Sequence, residues 1–283
     1  MPPVVDKNAK ARSKYLVFTS AGDKSNLNYW FRGKHNFDLW INYYGDVEGR
    51  YENDCDFYTS KKGGKFPNLH YVYHCWAELI SSYDSILVMD DDIIIRGEEI
   101  NRLFEIRSEY DLWLLQPAFD PRGKISHRVT RNNPLTSLRY TNFVEVTCPL
   151  FRKDKLDEFM QIYDPSVVGW GVDLWFLDSL GEAAKKVAIT DDITCINPAD
   201  SMKQGQREID LLQTTSKRIQ NWERVKEQYN IEVRAPAEMS RISRSLNLKQ
   251  FLKAMKIVMV HLYCKLLKML YGVGNDYNRK ASG

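Results

Sequence analysis

Apolar residues in the first third of the chain fall in short continuous runs, each stopped by a small or acidic residue. Tyr15-Leu16-Val17-Phe18 ends in Thr19-Ser20-Ala21-Gly22-Asp23, and Ile86-Leu87-Val88-Met89 runs straight into Asp90-Asp91-Asp92. Runs of this kind, with no polar face, predict strands buried on both sides. Phe37, Leu39, Ile41 and Tyr43 alternate with mostly polar neighbours and predict a second strand, with a weaker third near Asp56-Phe57-Tyr58. A loop at Gly63-Gly64-Lys65 then leads to Pro67, which suits a first helical turn, so a helix is expected over 67–82.

Further on, Leu112-Trp113-Leu114-Leu115 and Phe143-Val144-Glu145-Val146 predict strands, and 153–163 a helix. Over 206–229, Ile209, Leu212, Ile219, Trp222, Val225 and Tyr229 recur at mostly helical spacing, as in a packed closing helix. Strands separated by helices imply an α/β fold with a mixed, largely parallel sheet flanked by helices. Pro236 and the Ser/Arg-rich stretch after it mark a boundary, giving one domain over 1–235 and a tail over 236–283.

Within the tail, Phe251, Leu252, Met255, Val258, Met259, Leu262 and Leu266 share one helical face, and Lys249, Lys253, Lys256, His261, Lys265 and Lys268 the other. Such a C-terminal amphipathic helix suits an anionic membrane surface over 248–270, with packing against the body or another subunit as the alternative. Charge sharpens this picture. Residues 234–283 carry ten Lys/Arg against Glu238 and Asp276, although the net charge of the whole chain is only +3. The basic surface is therefore confined to the tail, and no nucleic-acid partner is expected.

The 283 residues, 43% hydrophobic, suffice for one sizeable core. Cys55, Cys75, Cys148, Cys195 and Cys264 are odd in number and never in Cys-x-x-Cys spacing, which excludes a disulfide framework and a zinc site of that type. With no basic-then-apolar leader and no apolar run of about 18 residues, a cytoplasmic protein is expected, peripheral at the inner face of a membrane through its tail. Oligomeric state is left open.

The acidic triplet carries the chemistry. In a strand, Asp90 and Asp92 would share a face while Asp91 points away. Three adjacent carboxylates repel, and a cation relieves that repulsion; magnesium or manganese takes one or two carboxylates and fills its other positions with water and phosphate oxygens. A solvated turn after the strand is the plain alternative. His70 and His74 stand at i and i+4 but lack an acidic partner in the sequence, so packing is their expected role.

Two further features extend the pattern. Gly169-Trp170-Gly171-Val172-Asp173 resembles the Gly-Trp-Gly-x-Glu-Asp segment of GT-A galactosyltransferases, where an acidic residue deprotonates the acceptor. More broadly, four stretches resemble the plant and bacterial family labelled lysine-ketoglutarate reductase trans-splicing related: 82–92, 116–121, 143–151 and 168–173. The order and spacing of these stretches agree over about residues 14–205.

The resemblance implies a GT-A-like glycosyltransferase that moves a sugar from a nucleotide-sugar donor to a glycan or lipid-linked glycan hydroxyl, assisted by Mn2+ or Mg2+. It places Asp90 by the ribose and metal, Asp92 on the metal and Asp173 as general base. Asp91 and Lys65 fall on the donor side; Glu145, Trp170, Gly171 and Gln116 on the acceptor and sugar side. Glu145 draws notice by itself, as a carboxylate in an otherwise apolar stretch. Where the family completes its metal site with histidine, this chain has Asn197, with Asp200 nearby as a substitute. Two other readings share these residues: a sugar nucleotidyltransferase, and a non-catalytic carbohydrate-binding or scaffold protein.

Overall fold

A computed structural model describes residues 9–199 and 208–244, together with helical positions between 252 and 266. The chain begins with β1 (Tyr15–Ala21), α1 (Leu27–Trp30), β2 (Asp38–Tyr43), β3 (Phe57–Ser60), α2 (Lys65–Cys75), α3 (Ala77–Ser81), β4 (Ser85–Val88) and α4 (Gly97–Glu109). Next come β5 (Leu114–Phe119), a 3-10 turn at Arg128–Thr130, β6 (Thr136–Thr141), β7 (Leu150–Arg152), α5 (Lys153–Ile162) and α6 (Val172–Ser179). β8 (Val187–Cys195), α7 (Glu208–Leu212), α8 (Thr215–Tyr229) and β9 (Glu238–Ser243) complete the fold.

The nine strands form one sheet in the order β3-β2-β1-β4-β7-β5-β8-β6-β9. β1 pairs in parallel with β2 and β4, as do β2 with β3 and β5 with β8; β7 runs antiparallel between β4 and β5, and β6 is antiparallel to β8 and β9. Two apolar cores lie on the two faces. Leu16, Phe18, Ile86 and Val88 join Phe66, Phe159 and Phe176 of α2, α5 and α6, while Val17, Leu87 and Leu39 join Leu103 and Phe104 of α4. Alternate residues of one strand thus feed opposite cores, which is why the runs at 15–18 and 86–89 show no polar face. The mixed α/β architecture agrees with the expectation from the sequence.

Several expected elements differ. The helix expected over 67–82 breaks at Trp76, a buried residue whose indole packs edge-on to Trp40 at 5.4 Å. Phe143–Val146 is not a strand: Phe143 and Val144 are buried as loop residues, and the strand begins only at Leu150. The closing helix is two helices, with Thr214 capping α8 by accepting from the Lys217 amide; residues 206–207 lie outside the described residues. The expected boundary at 235 also falls inside the sheet, because β9 pairs with β6 along 136–141. Polar residues facing outward on this edge strand hid it.

Candidate active site

β4 ends at Val88, and the acidic triplet lies beyond it in a turn closed by the Ile93 amide donating to the Asp90 carbonyl at 3.2 Å. Strand alternation therefore does not order the three side chains, contrary to the sequence expectation. Bracing from the end of β1 does. The Gly22 amide donates to Asp91 Oδ2 at 2.9 Å, the Asn26 amide to the Asp91 carbonyl at 2.7 Å, and Asn26 Nδ2 to the Asp92 carbonyl at 2.5 Å. Asp91 is thus drawn towards β1, whereas the Asp90 side chain stays 41% exposed and Asp92 is half-buried.

The antiparallel ladder of β4 and β7 continues past the strand ends: Val88 N–H donates to the Pro149 carbonyl and Asp90 N–H to the Thr147 carbonyl, both at 2.9 Å. This brings residues 145–149 alongside the triplet. Lys65, the first residue of α2, reaches into the junction with a nearly buried side chain. Its ammonium lies 2.7 Å from Asp90 Oδ1 and donates to the carbonyls of Val146 at 2.7 Å, Thr147 at 3.0 Å and Val88 at 3.3 Å. A buried ammonium is tolerable only with such a set of oxygens. Lys65 touches the donor side through Asp90, and its ammonium is otherwise occupied by backbone oxygens.

Glu145 is buried beside this junction. Thr130 Oγ1 donates to its Oε1 at 3.1 Å and Thr147 Oγ1 to its Oε2 at 3.3 Å, while its own amide donates to Gln116 Oε1 at 2.6 Å. Gln116, fully buried in β5, positions the backbone of Glu145. Asp173, in the first turn of α6, accepts from the amides of Leu174, at 3.0 Å, and Val146. Burial lifts its carboxyl to about 6 against those amides and the charge of Lys65, which pull the other way. Burial, and then the charge of Asp173, lifts Glu145 to about 7, opposed by the bonds from Thr130 and Thr147.

Gly169 and Gly171 adopt φ of +75° and +85°, the left-handed region. A Cβ on Gly171 would meet the Trp222 ring at 2.2 Å, and one on Gly169 would meet Ile209 Cδ1 at 2.5 Å. These glycines therefore serve backbone conformation and close packing of α7 and α8. Trp170 between them projects outward, 56% exposed.

Asn197 is buried and follows the antiparallel bridge between Ile94 and Ile196, which sets it abreast of Ile93, next to Asp92. Its carbonyl accepts from the Lys124 amide at 2.7 Å. Among the described residues no three His, Cys, Asp or Glu side chains gather around a common metal position. Asp90 and Asp92 share one turn, and Asn197 lies beside it in backbone register. Carboxylate and amide oxygens are donor types of a hard cation, which takes its remaining oxygens from water and phosphate. Asp200, the alternative ligand, lies outside the described residues.

No known family's sequence profile matches the chain, and no curated protein does. Solved structures do resemble it. S. aureus TarS is 13% identical with a TM-score of 0.49, covering 65% of this chain and 36% of its own. TarS 1-349 in complex with UDP-GlcNAc is 12% identical at 0.49, covering 78% and 68%, and GalNAc-T7 with UDP, GalNAc and Mn2+ is 10% identical at 0.49, covering 75% and 48%. Both are GT-A glycosyltransferases. This chain spans about a third of TarS.

Lys65 is expected on the donor side, but its bonds to the 146–147 backbone, and Thr130, Thr147, Gly22 and Asn26 as braces, escape sequence reasoning. Gly22 and Asn26 meet partners 69 and 66 residues away, and Thr147, only two residues from Glu145, is unmarked until the fold turns its hydroxyl to that carboxylate.

Proposed function

We propose that this chain is a nucleotide-sugar-dependent glycosyltransferase acting on a hydroxyl of a glycan or lipid-linked glycan, with Mn2+ or Mg2+ on the donor diphosphate. The observation that carries the reading is the Lys65 junction: one ammonium ties the exposed carboxylate of Asp90 to the segment bearing Glu145 and touching Asp173. A phosphate-and-cation side and a proton-accepting side thereby flank one rigid point.

Asp90 and Asp92, with Asn197 beside them, would hold the cation, which when bound offsets charge on the departing diphosphate. Asp91 and Lys65 keep that turn in place. Asp173, lifted to about 6, is ionised at neutral pH yet basic enough to take the acceptor proton. A base facing the leaving group across the sugar favours inversion. Glu145, which holds a proton part of the time near neutrality, hydrogen-bonds sugar hydroxyls, and Trp170 offers them an apolar face.

The tail supports a lipid-linked acceptor. Leu252, Met255, Met259, Leu262 and Leu266, on one helical face, are exposed, while Val258 on that face is half-buried, so most of the face is open. Among the described residues no helix is long and apolar enough to cross a membrane. An interfacial position on an anionic membrane accounts for both facts.

The test is thermal stability with UDP, GDP, CDP and their sugar conjugates, each with manganese or EDTA, on wild type and Asp92→Ala. Stabilisation by one nucleotide class, dependent on metal and lost in the variant, is expected. A folded protein indifferent to every nucleotide would overturn the reading.

A further inference from the structure

A cavity of about 520 Å³ is lined by residues that flank Thr130, the threonine that donates to Glu145. Arg128, Arg131, Asn132 and Leu135 line it together with Glu238, whose carboxylate is paired with Arg241, and Val258 of the tail helix contributes to its wall. Thr130, between two of these residues, donates to Glu145, so residues 128–131 join the cavity wall to the Glu145 segment.

The cations here are unequal. Arg139 is buried and saturated: it pairs with Asp191 at 2.7 and 2.9 Å and donates to the carbonyls of Val129 at 2.6 Å and Arg131 at 2.9 Å. Its bonds clamp the backbone that displays Arg128 and Arg131. Those two are exposed, and among the described residues neither makes an ion pair. Two guanidinium groups on a clamped backbone, neither in an ion pair among the described residues, can offer an oxyanion charge-assisted hydrogen bonds.

We infer that this cavity binds a phosphate group of the acceptor and so sets which acceptors reach Asp173. The inference rests on the transferase reading for its purpose, but the binding itself does not. Its position supports the assignment: its wall at 128–131 is bonded to Glu145 through Thr130, and Val258 brings the tail helix against it. A phosphate borne by a lipid and one on a soluble glycan would present the same chemistry to Arg128 and Arg131.

The experiment titrates inorganic phosphate, and separately phosphatidylcholine vesicles with or without a polyprenyl phosphate, in EDTA. The proteins are wild type, Arg128→Gln/Arg131→Gln, and the control Lys10→Gln/Lys14→Gln before β1. Saturable binding is expected in wild type and the control, and roughly tenfold or weaker affinity in the arginine variant, the worth of at least one charge-assisted hydrogen bond. Binding of the vesicles alone would name a lipid source, and binding of free phosphate as well a soluble one. Equal affinity in wild type and the arginine variant, or no binding, would overturn the proposal. Nucleotide-dependent stabilisation is read on the same samples. A nucleotide response without arginine-dependent phosphate binding rejects the cavity alone, and the converse rejects the transferase reading alone.

Discussion

Lys65 Nζ stands 2.7 Å from Asp90 Oδ1 and also 2.7 Å from the Val146 carbonyl, joining the two segments just beyond the paired ends of β4 and β7. Lys65→Met would leave the Asp90 carboxylate without its countercharge and take one donor from the carbonyls of Val88, Val146 and Thr147. A loss on the order of 3 kcal/mol is expected. Lys65→Arg should not restore it, since a planar fork cannot meet the same four oxygens. Denaturant unfolding of both variants measures this, and a wild-type midpoint for Lys65→Met would show that the ammonium is dispensable to the junction.

Asp173→Asn keeps the size of the side chain and removes its basicity. Transfer should fall by about 10²–10⁴-fold, while metal-dependent stabilisation by the nucleotide persists. Loss of both together would place Asp173 in donor binding and not in proton transfer.

Gly171→Ala meets both a left-handed φ and the Trp222 ring, so it should destabilise by roughly 2 kcal/mol or more. Trp170→Ala, one residue away, should leave stability within about 0.5 kcal/mol and weaken acceptor affinity. Thermal melts and acceptor KM separate the two, and the opposite pattern would contradict the outward placement of the indole.

Folding raises the Glu145 and Asp173 carboxyls, so it favours their neutral forms. Their contribution to stability is complete below the unfolded values, near about 4, and is lost as pH rises through about 6 to 7. Glu145→Gln cannot ionise. It should be more stable than wild type above about pH 7, on the order of 2 kcal/mol, and lose that advantage in acid. Unfolding curves at both ends of the range decide it; a constant difference would mean that Glu145 titrates as an ordinary glutamate.

Strands β1 and β4 were legible because burial on both faces leaves an uninterrupted apolar run, β2 because its apolar residues alternate, and the acidic triplet because it interrupts an apolar run so abruptly. β8 was not, since Thr190-Asp191-Asp192 breaks its apolar pattern. Asp191 is buried there only because Arg139 of β6 meets it, 52 residues away. Phe143–Val146 shows the reverse error: apolar side chains needed for packing sat on backbone that serves the Lys65 junction. Glu145 could be picked out as an oddity, but its neighbours Thr130, Gln116 and Asp173 come from separate elements and meet only in the fold.

The reversed direction of β7 settles where variation can enter this protein. A strand running against both neighbours begins at the rim where they end, so residues 142–149 are handed to that rim before the sheet claims Leu150–Arg152. Insertions or exchanges in this approach would reshape the rim while the paired strands stay in register. One backward strand thus separates what must stay constant for folding from what can change to admit a different molecule.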